Sequence, residues 1–216
     1  MSQHTLTLLR FTYKKLKEKL TVSDSKKLIH EQFPYVIPGL YKRIVDEILV
    51  ELNLLNHQNE FKQDYLFCIG LTEMFKEFMQ DYNPSMHLDL LFESLCKSTN
   101  FEANEIKETS RKSLEKFKDK SVEETVKLLD ERKSSKPYSS RILNIGIYLI
   151  ISQCQDFEKT NKSDNNQFIS DIFEKLNLSV SKAEKDIGIY KTSIKKMEQA
   201  KELIEELRIK GKKDAK

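Results

Sequence analysis

With 216 residues, 37 basic and 34 acidic side chains and a formal charge of only +3, the chain can bury one sizeable core but lacks the positive field of a general nucleic-acid binder. Only six of the basic residues are arginine, the side chain best suited to bidentate phosphate and guanine contacts, which points the same way. Five glycines and four prolines leave little material for the tight turns that hairpins need, so the composition favours helices over sheet.

Residues 1–20 form a basic N-terminal extension, with five basic side chains against one acid and Leu6, Leu9, Tyr13, Leu16 and Leu20 at helical spacing. Two readings stand side by side: a short amphipathic helix that touches anionic lipid, or a segment of no function, either a loosely held terminal helix or a translation start placed too early. The segment has no compact apolar run followed by a small-residue cleavage site, so it makes a poor signal peptide. A brief helix is predicted from the polar start at Ser23 and Asp24 to about Glu31. "FPYVIPG" then imposes an extended stretch through its two prolines.

Pro38 occupies a first-turn position, and a helix follows to about His57. Leu40, Tyr41, Ile44, Val45, Ile48, Leu49, Leu52 and Leu55 fall on one broad face, as a buried bundle helix requires. Lys42, Arg43, Asp46 and Glu47 occupy the other side, where Lys42 with Asp46 and Arg43 with Glu47 are spaced as i,i+4 pairs.

The next helix starts near Asp64 and is apolar over more than half its surface. Asn83 and Pro84 open another, "PSMHLDLLFESLCKS". Further helices are predicted over 102–118 and 121–131, the latter opened by a Ser121/Glu124 capping box. The loop "RKSSKPYSS" leads to an apolar helix over about 139–158. Its β-branched content could suggest a strand, but no second strand is available to pair with it. A polar stretch, "EKTNKSDNNQ", precedes a shorter helix ending near Leu176.

From Ser181, where Ser181 and Glu184 form another capping box, the pattern runs on to about residue 209. Ile187, Tyr190, Ile194, Met197 and Ile204 follow a heptad-like seam that Lys201 and Arg208 interrupt. So narrow a stripe needs a partner helix, from the same domain, a second copy or another protein. The last residues, "RIKGKKDAK", read as a basic tail.

The reading is therefore all-α: an irregular bundle of about eight helices over 21–180, a long coiled-coil-like helix over 181–209 that protrudes or packs loosely, and a basic disordered tail over 210–216.

The motifs that carry chemistry are missing. No Glu-x-x-His, His-x-x-x-His or close cysteine pair offers a metal site, and the four histidines are isolated. Single glycines cannot cradle a phosphate, and Gly70 and Gly146, inside apolar helix patterns, point to close helix packing. Cys68, Cys96 and Cys154 lie beside apolar residues and read as reduced core side chains. No stretch approaches the ~20 apolar residues of a membrane span. The charges of the helix that ends near His57, together with Glu51, lack a predicted pocket that would set carboxylate pKa values apart, so they read as a solvated face or an interaction surface.

"TVSDSKK", "FPYVIPGLYKRIVDEILVELNLL", "FKQDYLFCIGLTEMFKEFMQDYNP", "LFESLC", "YSSRILNIGIYLII" and "KDIGIYKTSIKKMEQAKELIEEL" together resemble the thylakoid formation protein family of cyanobacteria and chloroplasts, over roughly residues 21–209. That resemblance implies a mostly helical, non-enzymatic accessory protein of photosynthetic membranes with an extended C-terminal helix. It also implies links to photosystem II biogenesis and repair and to FtsH-type thylakoid proteases. Residues 1–20 precede the usual family start, and the lack of a long plastid transit peptide resembles a cyanobacterial member.

The expected role is an interaction module that supports the FtsH-type protease complex from the cytoplasmic face of the thylakoid membrane, without cofactor, metal, nucleic acid or small-molecule substrate. The alternative is a peripheral membrane binder acting on thylakoid lipid organisation or vesicle formation. The expected partner contacts are Lys42, Arg43, Asp46 and Glu47 on the first long helix and Tyr190, Ile194 and Met197 on the last.

Overall fold

The computed structural model describes residues 19–131, 139–157 and 165–214. The expectations for the basic start, the "RKSSKPYSS" loop up to residue 138 and most of the polar stretch after 157 fall outside them. The described residues form nine α-helices and one 3-10 turn, with no strand among them: α1 Val22–Gln32, α2 Gly39–His57, α3 Tyr65–Phe78, the turn Ser85–His87, α4 Leu88–Ser98, α5 Ala103–Leu114, α6 Val122–Asp130, α7 Arg141–Ser152, α8 Asn165–Lys175 and α9 Val180–Asp214.

Local chemistry sets most of the helix starts. Thr21 and Asp24 close a capping box on α1, Asp64 accepts from the Phe67 N–H at 2.9 Å, and Ser121 with Glu124 forms the expected box on α6. Ser140 caps α7 by accepting from the Leu143 N–H at 3.1 Å. Turns that would ordinarily take glycine use Asn100, Asp119 and Asn177 instead, at φ 63°, 56° and 53°. After Asn100 and Asn177, the N–H groups of Phe101 and Leu178 reach back to the carbonyls of Cys96 and Phe173 at 2.9 Å, satisfying the helix ends. Few glycines therefore suffice.

Two helices form the centre. α3 and α7 are buried nearly all round because each feeds two apolar clusters. On one side Phe67, Cys68, Leu71, Ile142, Ile145 and Leu149 join α1, α2 and α4. On the other Leu66, Ile69, Leu143, Ile147, Ile150 and Ile151 meet α6, α8 and the start of α9.

The two axes cross at a glycine pair. A Cβ added to Gly146 would stand 2.7 Å from the Leu66 carbonyl oxygen and 2.9 Å from the Gly70 Cα, closer than real carbon contacts allow. The close packing expected of Gly70 and Gly146 is thus present, and it is a contact between them.

Four helix boundaries differ from the sequence reading. α5 and α7 end earlier, at Leu114 and Ser152. α9 begins at Val180, so Ser181 lies inside it and the expected capping box does not form; Glu184 instead accepts from the Ser170 hydroxyl of α8 at 2.5 Å. At its far end α9 continues as helix to Asp214 rather than giving way to a tail near 209.

Candidate interaction surfaces

The charges on α2 divide into free and fastened. Lys42 and Arg43 are exposed, and the Arg43 Nε donates to Glu47 Oε1 at 3.0 Å, the i,i+4 pair foreseen from spacing. Asp46 does not pair with Lys42 as expected; it faces Lys26 of α1 at 3.3 Å. Glu47 also receives the Arg141 guanidinium of α7 at 3.5 Å. Two of the four residues therefore clamp α2 to neighbouring helices, while two remain on the surface.

One turn further along α2, Glu51 enters a polar knot that the sequence did not reveal. Burial pushes its carboxyl above the ordinary 4.5, opposed by the Arg141 charge and by a hydrogen bond from the Arg141 backbone N–H. The carboxylate thereby assists Ser140 at the N-terminus of α7, where helix N–H groups lack partners. Beside it the buried Asn144 amide donates to Asp186 of α9 at 2.8 Å, and Lys182 of α9 donates to the Ser139 carbonyl. The knot joins α2, α7 and α9. Asn144 was the available signal, as a lone amide within "ILNIGIYLII" must find a partner when buried.

The seam of α9 meets the domain's own core. Tyr190 is 2% and Met197 6% exposed, with Ile194 half-buried beside them. The Tyr190 hydroxyl donates to Glu77 of α3, its ring meets Phe78 edge-on at 5.5 Å, and Lys191 lies 4.8 Å over the Tyr148 ring. Burial and the neighbouring carboxylate push the Tyr190 phenol well above its usual range. In this fold Tyr190 and Met197, expected as partner contacts, are both occupied inside the domain. The docked part ends at Lys201, which pairs with Asp81 at 2.6 Å. Beyond it Leu203, Ile204 and Leu207 are more than half exposed.

The reactive side chains are held quiet. Burial pushes the Cys68 and Cys96 thiols up to about 12 and raises Cys154, and all three are free and buried. Among the described residues, no group of three or more His, Cys, Asp or Glu side chains could hold a metal ion. No helix of the described residues is long and apolar enough to cross a membrane. An open cavity of about 480 Å³ between α3, α4 and α5 is walled by Phe75, Met79, Leu88 and Phe92, with Lys76 and Lys107 at its edge.

Fold and surface together define an all-α domain whose last helix is first packed and then projecting. The chain belongs to the thylakoid formation protein family, whose model matches residues 21–216. It is 73% identical over 198 residues to Protein Thf1 of Prochlorococcus marinus strain MIT 9312, covering 92% of this chain and 98% of that one. It is 32% identical to Protein Thf1 of Synechococcus sp. strain CC9902 over 191 residues, with 88% and 89% covered. The solved structure of Psb29 shares the fold, with a TM-score of 0.79 at 24% identity over 90% of this chain and 98% of that one.

Proposed function

We propose that the protein is a non-enzymatic accessory factor of thylakoid membrane biogenesis and of photosystem II assembly or repair. It acts by binding and supporting an FtsH-type thylakoid protease, from a peripheral position on the cytoplasmic face of the membrane. The observation that carries this reading is family membership across residues 21–216. The sequence carries none of the usual metal-ligand or phosphate-cradle spacings, which is compatible with it.

The docking surface we assign is the exposed edge of α2 around Lys42 and Arg43, with Asp46 and Glu47 holding that edge in place. Ile194, half-exposed on α9, extends it, while Tyr190 and Met197 act from beneath by fixing the helix. Affinity capture from detergent-solubilised thylakoids tests the reading. The intact chain is expected to retain an FtsH-type protease, and the double variant Lys42→Glu, Arg43→Glu to lose it while melting normally. Recovery of no protease or photosystem component above background by the intact chain would overturn the proposal.

A second reading, a peripheral lipid binder acting on thylakoid lipid organisation, is favoured by one specific feature: the exposed apolar side chains at the end of the domain from which α9 projects.

A further inference from the structure

The polar knot of α2, α7 and α9 changes its charge balance with a single proton. Glu51 of α2 accepts from the Arg141 backbone N–H, and the charges that face it are Arg141 on α7 and Asp186 and Lys182 on α9. On α2 itself Glu47 lies one turn earlier and receives the Arg141 guanidinium at 3.5 Å. With Glu51 protonated, the carboxylates of Glu47 and Asp186 are matched by Arg141 and Lys182. With Glu51 ionised, three carboxylates share those two cations, and Lys182, being exposed, is the more screened of them. Asp186 is 8% exposed and cannot turn to water while α9 stays docked. An ionised Glu51 therefore repels Asp186 across the helix interface, where little water dilutes the repulsion.

The start of α9 is the part that can yield. Gly188 sits inside the helix with nothing within 4 Å of an added Cβ, so close packing does not account for it. A glycine there lowers the cost of bending or fraying the helix at that point. Before it, residues 180–187 are held by burial of Ala183 and Ile187 and by polar contacts: Asn144 to Asp186, Lys182 to the Ser139 carbonyl, and the Ser170 hydroxyl to Glu184. After it, Tyr190 and Met197 are buried and Lys201 pairs with Asp81. Gly188 thus divides a short segment fastened largely by polar groups from a longer one anchored by large side chains.

We propose that the knot is a proton-operated latch: protonated Glu51 locks residues 180–187 against α2 and α7, and loss of its proton repels Asp186 and lets that segment open about Gly188. Burial raises the Glu51 carboxyl above its ordinary value, opposed by Arg141 and Lys182 and aided by Asp186. A raised carboxyl contributes its stability at low pH and loses it as pH rises through the folded value, so the latch is set in acid and released above it. The opening is local, because α9 stays anchored beyond Gly188. Arg141 also braces Glu47, which holds Arg43, so release loosens the docking edge of α2. That consequence rests on the reading above, whereas the latch itself needs no partner.

Amide hydrogen exchange of the full-length protein, resolved by residue and divided by the intrinsic rate at each pH, tests the latch. From about pH 4.5 to about pH 8 the amides of residues 183–187 are expected to lose protection by at least about fivefold, while those of α3 and α4 hold. The loss should level off once the Glu51 carboxyl, followed by NMR, has titrated. Glu51→Gln keeps an acceptor for the Arg141 N–H without a charge and should stay protected throughout. Gly188→Ala should open less than wild type at each pH.

Protection of residues 183–187 that does not change with pH, or the same loss in Glu51→Gln, overturns the proposal. So does an equal loss across α3 and α4, which would make the effect one of global stability. Protease capture is run at a single pH, so it can fail without bearing on the latch, and the latch can fail without bearing on capture.

Discussion

Gly146→Ala tests whether the α3–α7 crossing sets the stability of the domain. The new methyl would meet the Leu66 carbonyl oxygen at 2.7 Å, the Gly70 Cα at 2.9 Å and the Gly70 nitrogen at 3.0 Å, all backbone atoms that no rotamer change can move. The helices must separate by roughly half an ångström, which weakens dispersion contacts along both clusters that flank the crossing. Overpacking of this kind costs ~1–3 kcal/mol, and rigid neighbours place this site at the upper end. Alanine returns about 1 kcal/mol of helix propensity. The net loss is about 2 kcal/mol, which lowers Tm by about 4–8 °C in a domain of this size. Thermal and urea unfolding followed by circular dichroism measure it. Gly188→Ala is the control, since nothing lies within 4 Å of its added carbon. It should stabilise by ~0.5–1 kcal/mol, through propensity alone. A Gly146→Ala protein as stable as wild type would refute the close crossing.

Asn144→Ala removes the amide that donates to the buried Asp186 carboxylate, and urea unfolding should show a loss of about 1.5–3 kcal/mol, the range for a hydrogen bond to a charged group. The Glu51 carboxyl is raised in the folded state, so its favourable contribution is full below about 4.5 and is lost as pH rises through the folded pKa. Glu51→Gln removes that dependence. Tm measured against pH should therefore show the variant gaining on wild type as pH rises from 4 towards neutrality; a parallel pair of curves would contradict the assignment. Native protein at pH 8 should resist thiol alkylation for Cys68 and Cys96, which sit near 12, and react fully in urea. Rapid native labelling would show these side chains to be accessible.

Local chemistry made much of this fold readable from sequence. Asp64, and Ser121 with Glu124, are short-range signals, and a cap acts within three residues of itself; for α1 the sequence reading starts at Ser23 and Asp24, two residues past its true cap, Thr21. Gly70 and Gly146 were readable because glycine in an apolar helix interior costs stability unless another backbone needs the space. Pairing at long range was not readable. Asp46 chose Lys26, twenty residues earlier in the chain, over Lys42 four residues away, and Glu47 gained Arg141 from a helix far downstream. The seam of Tyr190, Ile194 and Met197 announced that α9 needs a partner. Periodicity carries no address, so it could not say that α3 and α7 supply that partner. The same limit hid the knot of Glu51, Asn144 and Asp186, since three polar residues on three helices share no spacing.

That address decides where α9 can be cut. A chain ending at Val180 loses Ala183, Ile187, Tyr190 and Met197 from the core, along with the Asp186 partner of Asn144. Burial of large side chains contributes roughly 1.5–3 kcal/mol each, so the loss, with the stranded polar groups added, is comparable to the ~5–15 kcal/mol that holds a typical domain folded. A chain ending at Glu202 keeps each of those contacts and the Lys201–Asp81 pair, and removes turns none of whose described side chains joins a core cluster. The shorter chain is therefore expected to lose its cooperative thermal transition, and the longer one to melt within ~1–2 °C of the full protein, since it exposes little new apolar surface. Circular dichroism melts of both chains decide the matter. If the chain ending at Val180 melts cooperatively, the first half of α9 is a lightly held arm and the buried seam must be reassigned. If it does not, only the cut at Glu202 separates loss of a binding surface from loss of the fold.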